Sequence, residues 1–211
     1  MPTTTELTVR YLEEHPSIRD CLKKGVVNYS RLSRRIAAEL GIGKKTSMEA
    51  ILIACRRYAA RLREDVAGEE RILSILRQSK LEIKNKIAVV IIDKKIYVDN
   101  LIELERKLRK KAETFYAVEG VNAFTVIVSE EFLGEMRGLF KKNIIKVTKA
   151  LAMITLRSPR EMETTPGVVS YLYSLFGGHG INIVETMSCW TDTIFIISEE
   201  DIPAVMRYLR F

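Results

Sequence analysis

With 211 residues, 47% of them hydrophobic and 29% charged, the chain has the composition of a globular protein and the length for one large domain or two to three small ones. No run of about eighteen apolar residues occurs, which excludes a transmembrane helix, and the start MPTTTELTVRYLEEH lacks the basic-then-apolar layout of a secretory signal. Cys21, Cys55 and Cys189 are scattered, His15 and His179 are the only histidines, and the net charge of +7 is mild. A disulfide framework, a zinc site and His-based catalysis are therefore disfavoured, and a cytoplasmic protein with reduced thiols is expected.

Residues 1–66 read as a helical domain. Residues 5–14 form a first helix, ended by His15-Pro16. Ser17 is placed to cap a second, residues 18–24, which stops at Gly25. In a third, residues 30–40, Leu32, Ile36 and Leu40 recur at helical spacing. Gly41 and Gly43 make a turn. Ser47 caps a longer helix with Met48, Ile51, Leu52, Cys55, Ala59 and Leu62 on one face. Cys55 on that face is expected as a small buried core residue. Helix, glycine-containing turn, helix is the helix-turn-helix layout. It resembles, in pattern only, small winged-helix and helix-turn-helix domains of prokaryotic regulators. These residues hold thirteen basic against eight acidic side chains, most of the net positive charge. Lys44, Lys45 and Ser47 sit where a recognition helix would meet phosphates, and Arg57 and Arg61 fall opposite the apolar stripe. These five are the candidate DNA-binding residues. The same charges also fit an ordinary solvated face.

Residues 67–80 read as a linker helix, with Ile72, Leu73, Ile75 and Leu76 apolar, either running on from the preceding helix or bending near Gly68. Residues 81–92 are strand-like and 98–111 helical through Leu101, Leu104 and Leu108. Residues 115–118 and 123–128 form a hairpin across Glu119-Gly120, 132–140 a helix, and 144–147 a returning strand.

The last third repeats this order. Residues 150–156 read as a strand. Thr165 is placed to cap a helix and Pro166 to occupy its first position. Val168, Val169, Leu172, Leu175 and Phe176 follow at helical spacing, and Gly177, Gly178 and Gly180 stop it. Ile181, Ile183 and residues 185–187 begin a strand, 193–197 are its hairpin partner, and 201–209 form a last helix. One stretch also repeats in sequence: Val126-Ile127-Val128-Ser129-Glu130-Glu131 lies against Phe195-Ile196-Ile197-Ser198-Glu199-Glu200.

Pro166-Gly167-Val168 opening a helix, Gly180-Ile181-Asn182-Ile183 entering a strand, and the hairpin from Ser188 to Phe195 resemble the ACT domain family, in particular the tandem ACT modules of aspartokinases. The resemblance implies an α+β fold: an N-terminal helical, helix-turn-helix-like domain (1–66), the linker (67–80), and two tandem ferredoxin-like βαββαβ modules, 81–147 and 148–211. The first lacks the Pro-Gly start and the Gly-Ile-Asn-Ile run, and is expected to be degenerate and structural. The second ends at its last helix, so its open sheet edge needs a strand from residues 81–86, from 144–149 or from another subunit.

No catalytic constellation stands out. Gly177-Gly178-His179-Gly180 precedes a strand, whereas phosphate loops precede helices, and Ser188-Cys189 has no histidine nearby in sequence. No cofactor or metal is expected. The resemblance implies a small effector, an amino acid, bound between paired modules near Thr165, Pro166, Gly167, Val168, Asn182 and Ile183, with Ser188 and Asp192 reaching in from the hairpin. Helix capping and turn formation account for several of the same residues. Tyr171, Tyr173 and Trp190 fit core or interface positions better than ligand contacts. The expectation is a non-enzymatic, homo-oligomeric effector sensor that regulates transcription through DNA. The alternative is an allosteric or adaptor subunit of a metabolic enzyme, without DNA binding.

Overall fold

The computed structural model describes residues 2–43, 47–64, 66–96 and 98–211. The chain divides into two units, Met1–Arg71 and Ile72–Phe211. Among the described residues no helix is long and apolar enough to cross a membrane.

The first unit is helical: α1 (Thr4–Glu14), α2 (Pro16–Lys23), α3 (Tyr29–Glu39), α4 (Met48–Glu64) and the start of α5 (Val66–Gln78). Thr3 and Glu6 form a capping box at α1, and the Asn28 side chain accepts from the Arg31 N–H at α3. Ser17 does not cap α2. The helix starts two residues earlier than expected, with Pro16 in its first turn and His15 before it, because a proline there gives up no intrahelical hydrogen bond. Ser47 Oγ accepts from the Glu49 N–H at 3.2 Å, where α4 begins. Leu12, Leu22, Ile36, Ile51 and Cys55 are fully buried in one cluster, each apolar side chain contributing about 1.5–3 kcal/mol. Burial pushes the Cys55 thiol up to about 11, as an inert core residue. The Tyr11 hydroxyl donates to Glu39 at 2.6 Å and Arg35 Nε to the other oxygen at 2.7 Å, tying α1 to α3.

Among the described residues the second unit is an antiparallel six-stranded sheet with four further α-helices. In chain order these are β1 (Lys80–Asp93), α6 (Val98–Lys110), β2 (Phe115–Glu119), β3 (Ala123–Ser129), α7 (Leu133–Phe140), β4 (Ile144–Arg157), α8 (Val168–Gly178), β5 (Glu185–Cys189), β6 (Asp192–Ser198) and α9 (Ile202–Tyr208). The sheet order is β2-β3-β1-β4-β6-β5. The strands expected at 144–147 and 150–156 are one continuous strand, so the expected boundary between 147 and 148 falls inside β4. Its partner β1 is equally long, and the two pair along most of their length.

Bulges interrupt both long strands. Lys86 and Ala150 both sit at φ 54. The Ala150 N–H donates to Glu130 at 2.6 Å, and the Lys86 N–H donates to Glu199. Glu130 and Glu199 are equivalent positions of the sequence repeat, each opening a short 3₁₀ turn after β3 or β6. A bulge inserts one residue and switches which residues face which side. In β1, Ile83 before the bulge and Ala88, Val90 and Ile92 after it can then all meet helices. The open edge is supplied from within the chain: residues 80–84 pair with 153–157, while 144–148 pair with the far end of β1.

Two helix-backed cores result. Leu101, Leu104 and Leu108 of α6 and Met136 and Phe140 of α7 pack on β1 and β3. Leu172 and Phe176 of α8 and Val205 of α9 pack on β4 and β6, with Ile75 and Leu76 of α5. The alternate strand residues, among them Ile87, Val89, Ile127, Leu151, Met153, Ile194 and Ile196, form a third buried cluster. The Tyr116 hydroxyl of β2 is raised by burial and then by the charge of Asp192 in β6. Tyr116 of β2 and Met187 of β5, from the two edge strands, pack against that same cluster, so the sheet is curved.

Candidate functional site

Helix α8 organises the sequence-predicted ligand residues and also separates them. Thr165 is not its cap. The Thr165 hydroxyl donates to the Glu161 carbonyl at 2.7 Å, belonging to the 3₁₀ turn Arg160–Thr164, and the capping position is Gly167 in the left-handed region at φ 95. Pro166 precedes the helix instead of occupying its first position, because the chain needs this turn before α8 can start. A Cβ on Gly167 would lie 3.1 Å from Ile72 Cδ1, so the site also requires a missing side chain. Val168 is buried in the core.

Ser188 and Asp192 lie toward the β5–β6 turn, where Asp192 pairs with Arg157, the residue that leads into the α8 approach. At the turn itself, Trp190 is 63% exposed. Its ring lies under the Arg160 guanidinium, and its Nε1 donates to Glu163. Thr165, Pro166, Gly167, Val168, Ser188 and Asp192 thus share one end of the second half. Asn182 and Ile183 are at the other end, beyond the C-terminus of α8. The helix Val168–Gly178 sets the two groups about 16 Å apart.

Around Ile183 the backbone builds a concavity. Gly180, at φ 72, ends α8 with a pair of bonds, Gly180 N–H to Gly177 O and Ile181 N–H to Phe176 O, the arrangement of a Schellman cap. The chain then leaves the helix without covering its last turn. An open cleft of ≈380 Å³ lies there, lined by Tyr173, Gly177, Ile181, Ile183, Val184, Glu185 and Thr186. Tyr173 sits edge-on to Phe195 at 5.7 Å, which fixes its ring. The Glu185 carboxyl is raised by burial, against which Lys146 pulls it down. The cleft therefore offers an aromatic wall, aliphatic residues, a glycine gap and one partly desolvated carboxylate. Asn182 is exposed just outside the wall. His179 is occupied, stacked on Tyr208 with centroids 3.4 Å apart.

Sequence reasoning placed Ile183 here but missed Gly177, Glu185 and Thr186, and it read Tyr173 as core or interface. The available signal was Tyr173 and Gly177 one helical turn apart, immediately before the strand entry.

In the helical unit, Lys44 and Lys45 lie outside the described residues. Arg57 and Arg61 are exposed on α4, the latter over the Tyr58 ring at 5.7 Å. Arg31, Arg34 and Arg56 are also exposed, and none of these five has a carboxylate partner among the described residues. Among the described residues no group of three or more His, Cys, Asp or Glu could hold a metal.

No family profile and no curated protein matches the chain. Solved structures do. The chain is similar to aspartate kinase of Clostridium acetobutylicum, with 13% identity over 61% of this chain and a TM-score of 0.50. This chain spans 33% of that enzyme's length. The regulatory subunit of aspartate kinase from Thermus thermophilus aligns at 14% identity, over 61% of this chain and 92% of its own, with a TM-score of 0.48. A Vibrio cholerae protein of unknown function aligns at 12% over 67% and 95%, with a TM-score of 0.48. At such identities the likeness is one of fold. The chain carries an α+β, ACT-like fold.

Proposed function

We propose that the chain is a regulatory protein in which the sheet unit senses a small effector, an amino acid, and the helical unit passes the signal to DNA. The observation that carries the first half is the cleft beside Ile181, Ile183 and Glu185. It has the size and mixed lining of a small-molecule site, and it adjoins the Gly-Ile-Asn-Ile run that resembles the ACT family. The Glu185 carboxylate suits an ammonium group, and the aromatic and aliphatic walls suit a side chain.

In this reading the sheet unit is two ACT-like modules in tandem, about 81–147 and 148–211, that exchange halves of β1 and β4. The module with the glycine-rich strand entry binds the effector, and the other serves as framework. Thr165, Pro166, Gly167, Val168, Ser188 and Asp192 line one end of a module, and Asn182 and Ile183 the other. An effector that touches both groups needs a second copy alongside, which favours a homo-oligomer. The helical unit, 1–66 with the linker 67–80, is a helix-turn-helix-like domain. Support for DNA comes from Arg31, Arg34, Arg56, Arg57 and Arg61, exposed on consecutive helices without neutralising carboxylates among the described residues, a charge pattern suited to phosphates.

The test is fluorescence anisotropy of the full chain with duplex DNA, at stepped salt and with each amino acid in turn. Affinity that falls steeply with salt, and shifts by about 5–150-fold with one amino acid, is the expected result. DNA affinity that ignores every amino acid contradicts it. Amino-acid binding without DNA binding would instead favour the adaptor-subunit reading.

A further inference from the structure

Helix α8 ends on Gly177 and Gly178, and the fold calls for glycine at neither. Neither is in the left-handed region, where Gly180 sits at φ 72. A Cβ on either would meet no atom within 4 Å among the described residues. Glycine weakens a helix relative to alanine, so these two positions do not owe their glycines to stability. Gly177 differs from Gly178 in what stands beside it. It lines the ≈380 Å³ cleft together with Tyr173, Ile183, Val184 and Glu185.

Gly177 follows Tyr173 by four residues, so the two positions are neighbours on the helix surface. Long side chains on a helix lean back toward its N-terminus. A side chain at position 177 would therefore lie against the Tyr173 ring, and glycine leaves that ring open to the cleft. Tyr173 is 39% exposed, yet its ring is held. It meets Phe195 nearly perpendicularly at 5.7 Å, and Phe195 packs on Phe176 at 4.7 Å. A perpendicular contact covers at most one face of the ring. A fixed aromatic face kept bare by a glycine, beside half-buried aliphatic residues, suits a flat apolar group that stacks. We propose that Gly177 is the specificity-determining residue of this cleft, and that the effector is an aromatic amino acid whose ring lies on Tyr173 in the space Gly177 leaves. This rests on the amino-acid reading of the cleft and adds the side-chain class to it. Ile183 and Val184 flank the ring, and Glu185 takes the ammonium group.

The test is isothermal titration of the full chain with L-phenylalanine, L-tyrosine and L-tryptophan, and with L-leucine, L-lysine and L-cyclohexylalanine. The last keeps the size and apolarity of phenylalanine without its flat face. The tightest ligand is expected to be aromatic, about 3- to 10-fold tighter than cyclohexylalanine. Tyr173→Leu is expected to remove that preference. Gly177→Leu is expected to abolish aromatic binding while the free protein melts no lower than the parent chain. Gly178→Leu, at the same helix end but outside the cleft lining, is expected to bind as the parent does. Tightest binding of leucine, lysine or cyclohexylalanine overturns the proposal and leaves the amino-acid reading standing. Binding of no amino acid overturns both. Aromatic binding that survives Gly177→Leu, or a preference that survives Tyr173→Leu, also overturns it. So does a Gly177→Leu protein that loses binding and melts lower than Gly178→Leu, since the glycine would then be a structural requirement.

Discussion

The two halves of the sheet unit are built on one framework and differ in the connections around their first helices. In the first half, α6 passes to β2 through residues 111–114, with Ala112 forced to φ 55. In the second, α8 passes to β5 through residues 179–184, with Gly180 at φ 72 in the same role. Both helices end in the same hydrogen-bond pattern, Glu113 N–H to Leu108 O in one and Ile181 N–H to Phe176 O in the other. The longer connection, and the glycines where α8 ends, leave the last turn of α8 uncovered and open the cleft. Two near-equivalent helix–strand connections thus differ in length and in glycine content, and a cleft lies beside the second. The site arises from the connection, while the strands and cores serve both halves alike.

The largest expected effect tests whether the halves are independent. Phe140→Ala empties a fully buried position of the first half and should cost about 3–5 kcal/mol. Trp190, the sole tryptophan, reports on the second half. Because β1 and β4 run through both, its fluorescence midpoint in urea is expected to fall with the rest of the unit. An unmoved Trp190 transition would separate the halves.

The helix ends come next. Gly180→Ala should cost about 1–2 kcal/mol, since a side chain is strained in the left-handed region, and Ala112→Gly should stabilise by about 0.5–1 kcal/mol for the converse reason. Thermal melts that moved in the same direction for both would break the equivalence.

Glu130→Ala and Glu199→Ala each leave a bulge N–H without its carboxylate. About 1 kcal/mol apiece is expected, similar for both, by denaturant titration.

The smallest effect concerns Glu185. Its folded carboxyl is raised by burial, so its contribution to stability is full below the ordinary carboxylate range and is lost as pH rises through the folded value. Glu185→Gln should therefore be neutral or slightly stabilising at pH 7 and should flatten that part of the stability profile, while weakening any ligand ammonium contact. A Glu185→Gln protein less stable at pH 7 would contradict this account.

Much of the framework was legible in sequence because periodicity reports it directly. Leu101, Leu104 and Leu108 marked α6, and Val168, Leu172 and Phe176 marked α8. The unity of β4 was not legible. Thr148-Lys149-Ala150 looks like a break between two strands, and only the carboxylate of Glu130, twenty residues away, turns it into a bulge. Thr165 misled for a local reason, because Thr-Pro-Gly fits both a helix cap and the turn that precedes this helix. Of the residues read as ligand contacts, Ile183 lines the cleft, while Thr165, Pro166 and Gly167 stand at the other end of α8, a separation that spacing along the chain does not reveal. Glu185 gave no sign, since its half-buried state depends on how the curved sheet meets α8.

The central claim is that the second half carries an effector site that the first half lacks. The most direct measurement is a thermal-shift screen of the full chain against the twenty amino acids, repeated in Thr186→Trp and in Ala117→Trp. These two positions are equivalent edge-strand residues, Thr186 opposite Phe195 and Ala117 opposite Val126. A ligand that binds only the native state must raise the melting temperature. The expected result is a clear shift with one amino acid, abolished by Thr186→Trp and kept in Ala117→Trp. No shift with any amino acid, or a shift lost only in Ala117→Trp, would contradict the account.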